Sequence, residues 1–215
     1  IEYLAELDKQ GLSGSSRQRK LSSIKSFIGF LYQQGKIDKD FRDQISTPKK
    51  ENKPPRVLSE QEYKNLQLAV SHEPKAAAII ELLLQTGLRL SELSNLQLDD
   101  VSLPNKISKA GDGAGELVIR NGKGRKGRIV ALNYKASKSI KNWLRVRPDA
   151  ESSALFISKF KSQMTSGGIQ WLVKRYLKEA GIKNAHVHTL RHTFGTLAVR
   201  KGANGRFVQE MLGHA

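Results

Sequence analysis

The chain has 215 residues with 37 Lys and Arg against 20 Asp and Glu, a formal net charge of +17 and a sequence pI of about 10.1, an excess that calls for a polyanionic partner. With 38% hydrophobic and 27% charged residues it has the composition of a folded protein, and with no cysteine it excludes disulfide scaffolds, Cys-ligated zinc and thiol nucleophiles. The most apolar run, Ala76 to Leu84, is interrupted by Glu81 and too short to span a bilayer, and the N-terminus lacks a charged stretch followed by an apolar one, so neither export nor membrane insertion is expected. The positive charge is spread through the chain instead of forming one tail, which points to nucleic acid over an anionic membrane surface.

In chain order, Leu21, Ile24, Phe27, Ile28 and Leu31 recur at helical spacing between Ser15 and Tyr32, with Ser13 or Ser15 as N-cap and Gly35 just past the end. The opposite face collects Ser15, Gln18, Arg19, Ser22 and Ser26, with Lys25 on the flank. Such a face is either an ordinary solvated one or a groove-facing one, where small residues allow close approach to DNA and Arg and Gln donate to phosphates and base edges. Ser46 to Arg56 reads STPKKENKPPR, three prolines among basic residues without apolar periodicity, and is expected to be a linker. Beyond it, Ser59 to Glu62 forms a Ser-x-x-Glu capping box before a short helix, and Lys75 to Thr86 is an apolar helix stopped by Gly87. Residues 104–115 read as a loop, and Glu116 to Arg120 and Arg128 to Leu132 as two strands pairing as a hairpin across NGKGRKG. Helical spacing returns over Tyr134 to Val146, Gly167 to Ala180, His188 to Lys201 and Asn204 to Leu212, with Gly181, Gly202 and Gly213 as stops. The expected fold is mainly α with a small antiparallel β-sheet.

Gly122, Gly124 and Gly127 fit G-x-G-x-x-G, but a strand-like segment follows where a dinucleotide fingerprint needs a helix, and Arg128 stands where a P-loop needs Lys. What remains is a cationic turn, Lys123, Arg125, Lys126 and Arg128, which is either a solvated turn or a phosphate-contacting finger. His188 and His192 have the i, i+4 spacing of helical metal ligands, yet no zincin glutamate or third ligand accompanies them and Arg191 lies between them, so no metal is expected. His188 and Arg191, three apart, place an acid/base group and a bidentate phosphate donor on one helix face. Arg89, in TGLRLSEL, could pair simply with Glu92 three residues on.

Taken together, TGLRLSEL with Arg89, the hairpin with Lys123, HTLRHTFGT with His188 and Arg191, and MLGHA with His214 resemble, in that order, the catalytic domain of the tyrosine recombinase (phage integrase, Xer-like) family. Residues 1–37 are similar to the second half of that family's helical core-binding domain. The resemblance implies a partial DNA-binding helical domain over residues 1–45, a basic Pro-rich linker over 46–57 and the catalytic domain over 58–215. It also implies a metal-free, cofactor-free, site-specific DNA recombinase or integrase that cuts and rejoins strands through a 3′-phosphotyrosyl intermediate. Arg89, Lys123, His188, Arg191 and His214 would be catalytic, and Ser15, Gln18, Arg19, Ser22, Lys25, Arg125 and Lys126 would touch DNA. The implied partner is a duplex recombination site, clamped between the two domains and bound by a homotetramer on paired sites, and the implied setting is cytoplasmic, at the nucleoid. The family's nucleophilic tyrosine follows the Leu-Gly-His motif, and none of Tyr3, Tyr32, Tyr63, Tyr134 and Tyr176 stands there, so these 215 residues alone are expected to bind DNA without cleaving it. A recombinase-derived regulator without chemistry and a type IB topoisomerase are the competing readings.

Overall fold

The computed structural model describes residues 2–46, 54–105, 107, 115–120 and 127–212, which fall into two compact units, residues 1–54 and 55–215. In the smaller unit, α1 (Glu2–Lys9) precedes α2 (Gly14–Gln33), and a 3-10 turn follows at Arg42–Gln44. Ser13 is the cap of α2, accepting from the Ser16 amide at 3.3 Å. Leu7 and Leu21 are buried here, and Ile24, Ile28 and Leu31 are half-buried. Phe27, expected on the buried stripe, is instead 60% exposed, and Phe30 beside it 54%. The buried side of α2 is narrow: at Gly29 the Arg42 guanidinium lies so close that an added Cβ would stand 2.6 Å from Nη1, so the turn covers backbone at a point where a wider stripe would need side chains.

In the larger unit, α3 (Glu60–Ala69) starts at the Ser59–Glu62 capping box, and α4 (Pro74–Thr86) has Pro74 in its first turn, where the missing N–H costs nothing. The helix α4 is the centre of the core. Ala76, Ala78, Ile79, Ile80, Leu82, Leu83 and Leu84 are all buried, because α6 (Tyr134–Val146), α7 (Ser166–Glu179) and α8 (Val187–Arg200) pack around it. It ends at Gly87, whose φ of 62° is a left-handed cap that the missing Cβ permits. A short α5 (Leu90–Ser94) follows at once, and the last described element is α9 (Gly205–Leu212).

Between α5 and α6 lies the sheet, β1 (Val101–Ser102), β2 (Gly115–Ile119) and β3 (Arg128–Leu132), antiparallel in the order β1-β2-β3. The β2–β3 register sets Leu117 opposite Val130 and Ile119 opposite Arg128. Alternation buries Val130 and Leu132 and leaves Ile129 66% exposed. The fold is mainly α with a small antiparallel sheet. The expected elements are all present with ends moved by one or two residues, while α1, α5 and β1 are additional. The expected linker lies for the most part outside the described residues, as does most of the expected loop ahead of the hairpin.

Candidate active site

A loop, a strand and two helices bring charge together near one carboxylate. Glu92, on α5, is 6% exposed, and four N–H groups of two arginines surround it. The Arg89 amide donates to Oε2 at 2.8 Å and Arg89 Nη1 to Oε1 at 2.9 Å, while Arg128 Nη1 and Nη2 donate to Oε1 and Oε2 at 2.8 and 2.9 Å. Burial by itself would raise the Glu92 carboxyl, but the Arg128 bonds, followed by those of Arg89, outweigh it and hold the group below the ordinary carboxylate value. The helix turn explains Arg89: the sharp stop at Gly87 brings the chain round in two residues, so the N-cap of α5 carries its guanidinium back over the same helix's third residue.

Arg191 enters from α8 and is 8% exposed. Its Nη1 donates to the Gly87 carbonyl and its Nη2 to the Leu212 carbonyl, both at 2.5 Å. Burial pushes its pKa down to about 10, and the neighbouring Arg89 and Arg128 cations add to this while Glu92 opposes it. It stays protonated at neutral pH. Through the Gly87 carbonyl, Arg191 meets the segment that carries Arg89 two residues further on. The pairing of Arg89 with Glu92, expected from their spacing, is present.

The structure does not bring every expected residue to this cluster. His188 is exposed at the start of α8, its ring 5.7 Å from that of His186 in an edge-on arrangement, and among the described residues no hydrogen bond or ion pair joins it to the arginines. Lys123, Arg125, Lys126 and His214 lie outside the described residues. On α2, Ser15, Arg19 and Ser22 are exposed and Gln18 and Lys25 half-buried, with the Ser22 hydroxyl donating to the Gln18 carbonyl at 3.0 Å. Of the tyrosines, the Tyr176 hydroxyl donates to Glu73 at 2.8 Å and the Tyr63 hydroxyl accepts from Gln85 at 2.6 Å, and burial pushes both up to about 12. Those are structural bonds. Among the described residues no group of three or more His, Asp or Glu side chains could hold a metal, and no helix is long and apolar enough to cross a membrane.

Arg128, which the sequence groups with the turn cations as either a solvated turn or a phosphate-contacting finger, is instead turned inward on Glu92, its side chain 16% exposed. The signal was present: in a strand of period 2 it shares parity with the buried Val130 and Leu132.

A buried carboxylate held by two arginines, with a third arginine on the Gly87 and Leu212 carbonyls, gathers positive charge at one place on a basic, mainly helical protein. The chain belongs to the phage integrase family, the tyrosine-type site-specific recombinases: the family's own pattern matches residues 56–215, and the pattern of the phage integrase N-terminal SAM-like domain matches residues 1–35. The tyrosine recombinase XerC of Alcanivorax borkumensis is 34% identical over 221 residues, covering 98% of this chain and 69% of that protein. XerD of Oceanobacillus iheyensis is 35% identical over 224 residues, covering 99% and 72%. Among solved structures, XerA recombinase is similar with a TM-score of 0.66 at 29% identity, covering all of this chain and 73% of the other. XerH bound to a palindromic difH substrate in a post-cleavage complex is similar with a TM-score of 0.79 at 25% identity, covering all of this chain and 64% of the other. The function is therefore site-specific recombination, and the regulator and type IB topoisomerase readings are not favoured.

Proposed function

We propose that Arg89 and Arg191 hold the two non-bridging oxygens of the scissile phosphate in duplex DNA. The observation that carries this is that Arg89, held with Arg128 on the buried Glu92, stands two residues after Gly87, whose carbonyl takes the buried Arg191. Planar guanidinium forks suit an equatorial plane that gains negative charge in a pentacoordinate transition state, and donors held by a buried carboxylate and by backbone carbonyls need no reorganisation as that charge develops. His214 adds a third donor. Lys123, between β2 and β3 in the sequence, protonates the leaving 5′ oxygen. His188 assists deprotonation of the attacking tyrosine, which becomes joined to the 3′ phosphate as the 5′ hydroxyl leaves. A second strand's 5′ hydroxyl then displaces the tyrosine, so the bond is remade without an external energy source.

Solved relatives bound to DNA support a duplex partner, among them XerH on difH. In this reading Ser15, Gln18, Arg19, Ser22 and Lys25 of α2 and Arg125 and Lys126 contact the duplex, both units grip it, four copies assemble on paired sites, and the protein works in the cytoplasm at the nucleoid. The test is a sulfur substitution. A full-length Lys123→Ala variant should cleave ordinary DNA slowly yet recover on a substrate whose leaving 5′ oxygen is replaced by sulfur, which needs no proton. Failure to recover would return Lys123 to phosphate binding.

A further inference from the structure

Arg128 has no part in that chemistry, yet all three of its guanidinium nitrogens are engaged beside it. Its Nη1 and Nη2 take both Glu92 oxygens, and its Nε donates to the Met211 carbonyl at 3.2 Å. These contacts tie three elements: β3, which Arg128 opens, α5 through Glu92, and the last turn of α9. Arg191 makes a matching grip from α8 on Leu212, the next carbonyl. Two cations thus take consecutive carbonyls in the last described turn of α9, on the side toward which the helix dipole is negative.

The arrangement also governs Arg89. A free carboxylate accepts an arginine through both oxygens, and such a fork would draw both terminal nitrogens of Arg89 toward Glu92. Because Arg128 already bonds each oxygen, the guanidinium of Arg89 reaches Glu92 through Nη1, with its backbone amide on the other oxygen. We propose that Arg128 is a positioning residue of the phosphate site: it occupies Glu92 so that Arg89 is kept from a two-oxygen clasp, and it pins, together with Arg191, the end of α9. The inference rests on the reading of Arg89 and Arg191 as phosphate donors.

The experiment uses inorganic sulfate as a probe, with the side-chain Nε–Hε signals of Arg89 and Arg191 followed by NMR in the 215-residue chain. In the wild type both signals should move along one saturable curve. Arg128→Lys keeps the charge and the aliphatic stem but loses the fork, since an ammonium cannot span both oxygens. It should weaken sulfate about tenfold, the loss expected for one well-placed charge-assisted bond, and shift the Arg89 signal even without sulfate, while the backbone spectrum away from the site and the thermal midpoint change little. A merely structural role would lower the midpoint and leave the affinity of the folded protein alone. Unchanged sulfate affinity in Arg128→Lys would overturn the proposal. If that variant does not fold, Arg128→Gln takes its place with the same expectation, and failure of both to fold would make Arg128 a residue of the fold only and likewise overturn it. No sulfate response at either arginine in the wild type would instead remove the phosphate-site reading, and the proposal with it.

Discussion

Replacing Glu92 by Gln removes one negative charge from beneath two arginines while keeping the shape of the side chain. The carboxylate accepts four N–H bonds, and its side chain is 2% exposed, so in the variant two cations face a neutral amide that can accept at one atom only. Breaking a buried pair by removing one partner costs about 3 to 5 kcal/mol. The low end applies here, because Arg89 and Arg128 are 25% and 16% exposed and recover some hydration. For a chain of this size about 3 kcal/mol corresponds to a fall of roughly 6 to 12 °C in the melting midpoint, at 2 to 4 °C per kcal/mol. Urea titration followed by fluorescence reads the same quantity, since Trp143 is buried with its indole nitrogen on the Leu155 carbonyl and Trp171 is already 65% exposed. The loss must also depend on pH. The folded carboxyl lies below its ordinary value of 4.5, so the stability it contributes is complete above that value and is lost as pH falls through the lower folded one. Wild type and Glu92→Gln should therefore differ fully at pH 7 and converge in acid below 4.5. A difference under about 1 kcal/mol at pH 7, the typical worth of an exposed pair, or one that does not shrink in acid, would refute the view of Glu92 as the electrostatic centre of the site.

Gly87→Ala should cost at least about 2 kcal/mol in thermal melts, from left-handed strain and overpacking together, because φ is 62° and the new Cβ would stand 2.5 Å from Phe194 and 2.7 Å from Leu212; a loss matching that of Gly202→Ala, which is left-handed in open space, would contradict it. Binding of duplex DNA should weaken steeply with salt, log K falling by about 0.9 per phosphate contact per decade, and an affinity flat between low and physiological salt would speak against phosphate contacts. Arg19→Ala should lower affinity for every duplex, and Gln18→Ala should relax base preference at one position, as read by selection from randomised duplexes; unchanged footprints for both would make α2 an ordinary solvated helix.

Local chemistry determines much of this molecule. Ser59 with Glu62, Gly87 after an unbroken apolar run, and the alternation of Arg128 to Leu132 state where a helix starts, where one stops and which strand face turns inward, because caps, left-handed stops and period-2 burial act within a few residues. The motifs around Arg89 and Arg191 were legible for the same reason, each standing beside its own helix boundary. Phe27 was not, since a period of 3.6 says which residues share a face and not how much of that face is covered. What tertiary structure alone decided is the partnership of Glu92. Arg89 is three residues from it and so within reach of any sequence argument, but Arg128 comes from a strand 36 residues on, and Arg191 from a helix that meets Gly87 and Leu212 through packing around α4. Burial of that one carboxylate turns scattered cations into a site, because a charge withdrawn from water must collect its partners from wherever the fold brings them.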